Sequence, residues 1–175
     1  MTLEEDIYQW IRNLPRSRMG RPTTISERFK YWFWLVYTPI HPRVRDVATW
    51  IGFVRHTRRQ EFLIGKLESS RNVRDLVSFL IEKDFGNHFV AWKDPGELVS
   101  LRRTDGFRRQ YHLRIFKDGE IRCHYEYTPE YRPINHLIEI GFENRAAEFL
   151  QLLQGWIVPS RELAQEMSLS SSIVR

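Results

Sequence analysis

Glu97–Thr128, ELVSLRRTDGFRRQYHLRIFKDGEIRCHYEYT, decides the fold. Apolar and polar residues alternate through it, and two Asp-Gly pairs, Asp105-Gly106 and Asp118-Gly119, interrupt the alternation. A period of two broken by turn residues is the pattern of successive β-hairpins. At the second turn, a two-residue loop would oppose Ile115 to Arg122 and Leu113 to His124, mixing the two faces. A three-residue loop with Gly119 in the left-handed bulge position pairs Phe116 with Glu120 instead. Ile115 then faces Ile121, Leu113 faces Cys123 and Tyr111 faces Tyr125. The same kind of loop at Thr104-Asp105-Gly106 sets Val99 opposite Tyr111 and keeps Leu101 on the apolar side.

The other face then carries Ser100, Arg102, Arg108, Gln110, His112, Arg114, Arg122, His124 and Glu126. His112 falls opposite His124, and Arg114 opposite Arg122. Opposed like charges are destabilising, so the arginine pair calls for an anion. Glu120, Glu126, Glu143 or Glu148 would supply one from within the chain; a nucleic-acid phosphate would supply one from outside. Arg102, Arg108, His112, Arg114, Arg122 and His124 are therefore candidate nucleic-acid contacts. His112, His124 and Glu126 also form a lesser candidate set for metal binding or acid–base cleavage of phosphodiesters. The pattern alone assigns no metal and no other cofactor.

Working outward, the period changes to that of helices. Thr2-x-x-Glu5 and Thr24-x-x-Glu27 are capping boxes. The first precedes an apolar stripe at Ile7, Trp10, Ile11 and Leu14; the second precedes Phe29, Trp32, Phe33 and Val36. Between them, PRSRMGRP (15–22) reads as a basic loop or mobile arm of the kind that can lie in a minor groove. Pro42 suits the first turn of a helix over 43–51, with Val44, Val47, Ala48 and Ile51 inward. Residues 55–67 fit either helix or strand, and Arg59, Phe62, Leu63 and Leu67 favour helix. Val73, Leu76, Val77, Leu80 and Ile81 mark a helix over 72–84 closed by Gly86. A strand at His88–Trp92 and a helix over 143–155 complete the α+β pattern. The expected architecture is a helical region over 1–70, an antiparallel four-stranded sheet packed on helices over 71–158, and a short helix with a frayed tail over 159–175.

Residues 44–61, VRDVATWIGFVRHTRRQE, resemble the helix-turn-helix core of bacterial and archaeal DNA-binding regulators. Ala48 and Gly52 have the spacing of that family's close-packed small residue and turn glycine. The resemblance implies a supporting helix at 25–37 and a recognition helix opening at Arg55. Arg55, Thr57, Arg58, Arg59 and Gln60 are then the implied DNA contacts, Arg reading guanine, Gln reading adenine and Thr57 holding a phosphate. Arg58 stands where the family usually has an aliphatic residue.

Composition agrees with an anionic partner. The 175 residues carry a net charge of +5, and 22 of the 27 basic residues are arginine. Arginine matches phosphate and guanine edges and stacks on bases. Hydrophobic residues at 42% and aromatic residues at 14% can support a core. Cys123 is the single cysteine, which excludes an intrachain disulfide and an all-cysteine zinc site. No phosphate-binding loop or dinucleotide fingerprint occurs. The expectation is a cytoplasmic, non-enzymatic nucleic-acid-binding protein, DNA favoured over RNA, without membrane attachment and open to a homodimer or protein partner. The alternatives are an RNA-binding or ribonucleoprotein component and a small nuclease centred on His112, His124 and Glu126.

Overall fold

The computed structural model describes residues 10–11, 13–52, 62–87, 96–133 and 141–165. Helices α1 (Ile25–Tyr37), α2 (His41–Trp50), α3 (Val73–Glu82) and α4 (Ala146–Leu152) accompany six strands. The strands are β1 (Phe62–Leu67), β2 (Gly86–Asn87), β3 (Glu97–Asp105), β4 (Arg109–Phe116), β5 (Glu120–Tyr127) and β6 (Ile157–Pro159), in one antiparallel sheet of order β2-β3-β4-β5-β1-β6. The fold is α+β as expected, and the described residues form a sheet of six strands rather than four.

The β4–β5 hairpin takes the expected register: Ile115 opposes Ile121, Leu113 opposes Cys123, Tyr111 opposes Tyr125, His112 opposes His124 and Arg114 opposes Arg122. Gly119 is left-handed at φ 81°, and its N–H donates to the Phe116 carbonyl at 3.0 Å. The β3–β4 pairing differs from expectation. Val99 opposes Ile115, Arg103 opposes Tyr111 and Asp105 opposes Arg109, so the loop is Gly106-Phe107-Arg108. The slip is an even number of residues, so every side chain keeps its face. It places Phe107 in the turn, buried beside Tyr31 and Tyr131.

Residues 62–67 form β1, between β5 and β6, and not the helix that their apolar spacing favours. Phe62, Leu63 and Leu67 fit both periods, and pairing with distant β5 decides between them. A boundary at residue 70 would therefore cut through the sheet. The helix over 73–82 appears as expected, with Asn72 Oδ1 accepting from the Asp75 N–H at 2.8 Å as its N-cap. Gly86 does not close that helix; Asp84 takes the left-handed turn at φ 65°. Gly86 lies in β2 because the backbone of Ser17 would come within 2.3 Å of any Cβ there.

The 15–22 segment is accordingly seated on the sheet rather than mobile. Arg16 bridges Asn87, the Asn87 N–H donates to the Pro15 carbonyl at 2.8 Å, and a Cβ on Gly20 would collide with the Gly106 carbonyl. The apolar sheet face carries Val99, Leu101, Leu113, Ile115, Ile121, Cys123 and Ile64, buried with Leu76, Val77 and Leu80 of α3 and Phe149 and Leu153.

Helices α1 and α2 occupy the expected spans, and α1 starts on the Thr24/Glu27 capping box. Their packing departs from the expectation. Val44, Val47 and Ile51 face solvent rather than inward, as do Phe29, Trp32, Phe33 and Val36, while Trp34 is buried. The side chain of Ala48, the strand expected at 88–92, the first capping box and the contacts implied at Arg55, Thr57, Arg58, Arg59 and Gln60 lie outside the described residues. No described helix is long and apolar enough to cross a membrane.

Candidate metal centre in a buried polar face

The Arg/His face of the sheet is interior. Arg102, Gln110, His112, Arg114, His124 and Glu126 are each at most 1% exposed, and Ser100 is buried with them. A phosphate on the surface therefore meets none of these side chains, which corrects the reading of this face as an exposed anion-binding surface. A buried charge needs a partner and hydrogen bonds, and each arginine has them. Arg114 pairs with Glu97. Arg102 makes a two-pronged pair with Glu130 at 2.7 and 3.3 Å, donates to Gln110 Oε1 at 3.1 Å and reaches Ser17 Oγ.

The opposed Arg114 and Arg122 are reconciled by separate carboxylates, Glu97 for the first and Glu120 for the second, at 2.7 Å. Both guanidinium groups also lie over the Phe116 ring. Glu120 was foreseen for this role and Glu97 was not. By parity Glu97 belongs on the apolar face with Val99, but the pairing shifts between these two residues and brings Glu97 opposite Phe116. That irregularity transfers one carboxylate to the polar side. Glu130, from the turn after β5, and Ser17, from the N-terminal segment, were also missed. Nothing local in the sequence links them to Arg102.

At the middle of this face three donor atoms converge. His112 Nδ1 lies 3.1 Å from His124 Nε2 and 3.3 Å from Glu126 Oε1, and the last two atoms are 3.4 Å apart. Strand register explains the meeting: His112 and His124 are directly cross-strand, and Glu126 follows His124 on the same face of β5. Neighbouring groups fix the orientation. His112 Nε2 contacts Ser100 Oγ at 2.8 Å, and Gln110 Nε2 donates to Glu126 Oε1 at 2.7 Å. Phe142 lies against the His124 ring at 4.5 Å. Burial pushes His112 down to about 3 although the Glu126 hydrogen bond opposes it, so the ring is neutral near pH 7.

Arg122 and Arg108 are the sequence-predicted contacts of this face that retain exposure, with side chains 22% and 56% exposed. Arg108 donates to Glu27 Oε1, whose carboxyl is held down at about 2 by the Thr23 backbone N–H and Arg108. Arg108 also begins a row of alternating cations and tyrosines along one edge. Arg108 and Lys30 lie over Tyr131, Arg132 over Tyr131 and Tyr127, Arg109 over Tyr127 and Tyr125, and Arg145 over Tyr125. Beside it is a cleft of about 430 Å³ lined by Phe29, Phe33, Trp34, Tyr131 and Arg132.

Comparison with protein-family models, with curated proteins and with solved structures gives no match.

Proposed function

We propose that this protein is a metalloprotein in which His112 Nδ1, His124 Nε2 and Glu126 Oε1 hold one divalent transition-metal ion. The observation that carries the reading is the triangle of donors, 3.1, 3.3 and 3.4 Å on its sides. Bonds of roughly 2.0–2.1 Å in a tetrahedral site place donors about 3.3 Å apart. Two imidazoles and one carboxylate suit zinc or a neighbouring first-row ion. A neutral His112 offers a lone pair at Nδ1 if its Nε2–H donates to Ser100, the usual way an outer group orients a histidine ligand. All three ligands are within 2% of complete burial, so a polynucleotide does not reach the ion. Its part is to tie β4 to β5 and to add binding free energy to folding.

The test is metal content and thermal stability of the full chain. Purified without chelator, it should carry about one equivalent of zinc or a similar ion, and adding zinc to the chelator-treated chain should raise Tm. His124→Ala should lose both effects, while cobalt substitution of the wild type should give the visible spectrum of a tetrahedral ion. An unshifted Tm with excess zinc, cobalt or manganese, and no bound metal, would leave only a hydrogen-bonded triad and end this reading.

A second reading, nucleic-acid binding without catalysis, is favoured by the cation–tyrosine edge. Arg108 and Arg145, 56% and 33% exposed and braced on Tyr131 and Tyr125, offer guanidinium groups that pair with phosphate and stack on unpaired bases. This supports a single-stranded target, RNA or DNA, over the duplex target that the helix-turn-helix resemblance implies. Affinity for a single-stranded oligonucleotide should fall with salt at a log–log slope of about −0.7 per phosphate contacted. Arg132→Ala should weaken it several-fold; binding that is absent at low salt removes this reading.

A further inference from the structure

Helices α1 and α2 present apolar side chains to solvent in a regular series. Ile25, Phe29, Trp32 and Val36 recur on α1, then Ile40, Val44, Val47 and Ile51 on and beside α2, each between 42% and 87% exposed; Phe33, Leu35 and Trp50 are exposed to either side of this series. Helix α1 meets the rest of the protein through its opposite side. Glu27 pairs with Arg108, Lys30 donates to the Tyr131 carbonyl, Tyr31 lies against Phe107, and Trp34 is buried. On a helix of 3.6 residues per turn those four residues and the exposed series lie on opposing faces. Among the described residues, no segment covers the exposed series.

The spacing of the series reads the same in both directions. From Ile25 the steps are four, three, four, four, four, three and four residues, centred on Thr38. Two copies laid antiparallel about that centre would oppose Ile25 to Ile51, Phe29 to Val47, Trp32 to Val44 and Val36 to Ile40. Each pair occurs twice, as a two-fold interface requires. The largest side chains of α1 meet the smaller ones of α2, so ridges find room rather than clash. The turn at 38–40, where Thr38 ends α1, falls at the centre of such a pair. Together with Phe33, the series offers on the order of 1,000 Å² per copy, above the roughly 800 Å² per partner of a standard interface.

We infer that the α1–α2 face is the interface of a homodimer, in which α1 of one copy lies antiparallel against α2 of its partner. A contiguous apolar stripe of this size left in water marks an interaction surface, and a second copy supplies a complementary stripe.

Sedimentation of the full chain at micromolar concentration should give a dimer. Trp32→Glu and Val44→Glu should each shift it to monomer, with circular dichroism unchanged because both positions are exposed. Cross-linking then reads the direction. An equimolar mixture of Phe29→Cys and Val47→Cys chains should form a mixed disulfide on oxidation, and neither chain alone should cross-link; the native Cys123 is buried and does not compete. A monomeric wild type overturns the inference, whether it stays free or floats with anionic phospholipid vesicles. So does a dimer that survives both glutamate substitutions, or cross-linking of either cysteine chain with itself.

Discussion

The sheet and the α1–α2 pair invert each other. The sheet takes arginines, glutamates and histidines into its interior; the helices hold Phe29, Trp32 and Trp50 out in water. Sequence patterning treats both cases alike, since alternation and helical stripes say which residues share a face. Which face is covered depends on what else packs there. On the sheet, Glu130, Ser17 and Phe142 arrive from other segments to close the polar side. On the helices no described segment plays that part.

The largest effect should come from separating the buried charges. Arg114→Ala leaves Glu97 inside without its guanidinium and should cost about 3–5 kcal/mol in urea unfolding. Replacing both by apolar residues, Arg114→Met with Glu97→Leu, should recover most of that loss. Next, Leu80→Ala on α3 probes the opposite face of the sheet, where a cavity should cost about 2–5 kcal/mol by the same measurement. If Arg114→Ala proves milder than Leu80→Ala, the charged face contributes less to folding than the apolar one and the contrast weakens.

A smaller effect is read by pH. The Glu27 carboxyl is lowered from 4.5 to about 2 in the folded chain. Its contribution is present above the unfolded value and should disappear as pH falls from about 4.5 through about 2. Glu27→Gln should remove that part of the acid-unfolding curve, and an unaltered curve would mean the carboxylate does not tie α1 to Arg108. The smallest effect belongs to the exposed stripe. At dilutions where the chain is monomeric, Val47→Ser should change unfolding stability by no more than about 0.5 kcal/mol; a large loss would show that α2 packs within its own chain.

The β4–β5 hairpin was legible because Gly119 and the alternation agree on one register. The β3–β4 pairing was legible only in its parity. A slip of four residues keeps every face, and the choice went to the arrangement that buries Phe107 against Tyr31 and Tyr131, far away in sequence. Strand β1 was read as helix since its apolar residues satisfy both periods, and only the partner β5 distinguishes them. The triad was visible as a cross-strand coincidence of His112, His124 and Glu126. Its burial was not, because Glu97 arrives through an irregular pairing and Glu130 and Ser17 through chain segments that carry no local signal.

Gly86 bears on where this protein can be cut. Its missing side chain admits the backbone at Ser17, and Ser17 in turn is a partner of Arg102 inside the sheet. A shortened version beginning at the Thr24 cap of α1 would keep every helix and strand named above, yet leave that guanidinium facing an open seam. The smallest autonomous unit therefore has to start upstream of Pro15, and a proline- and arginine-rich stretch that looks like a convenient place for a tag or a protease site is part of the wall.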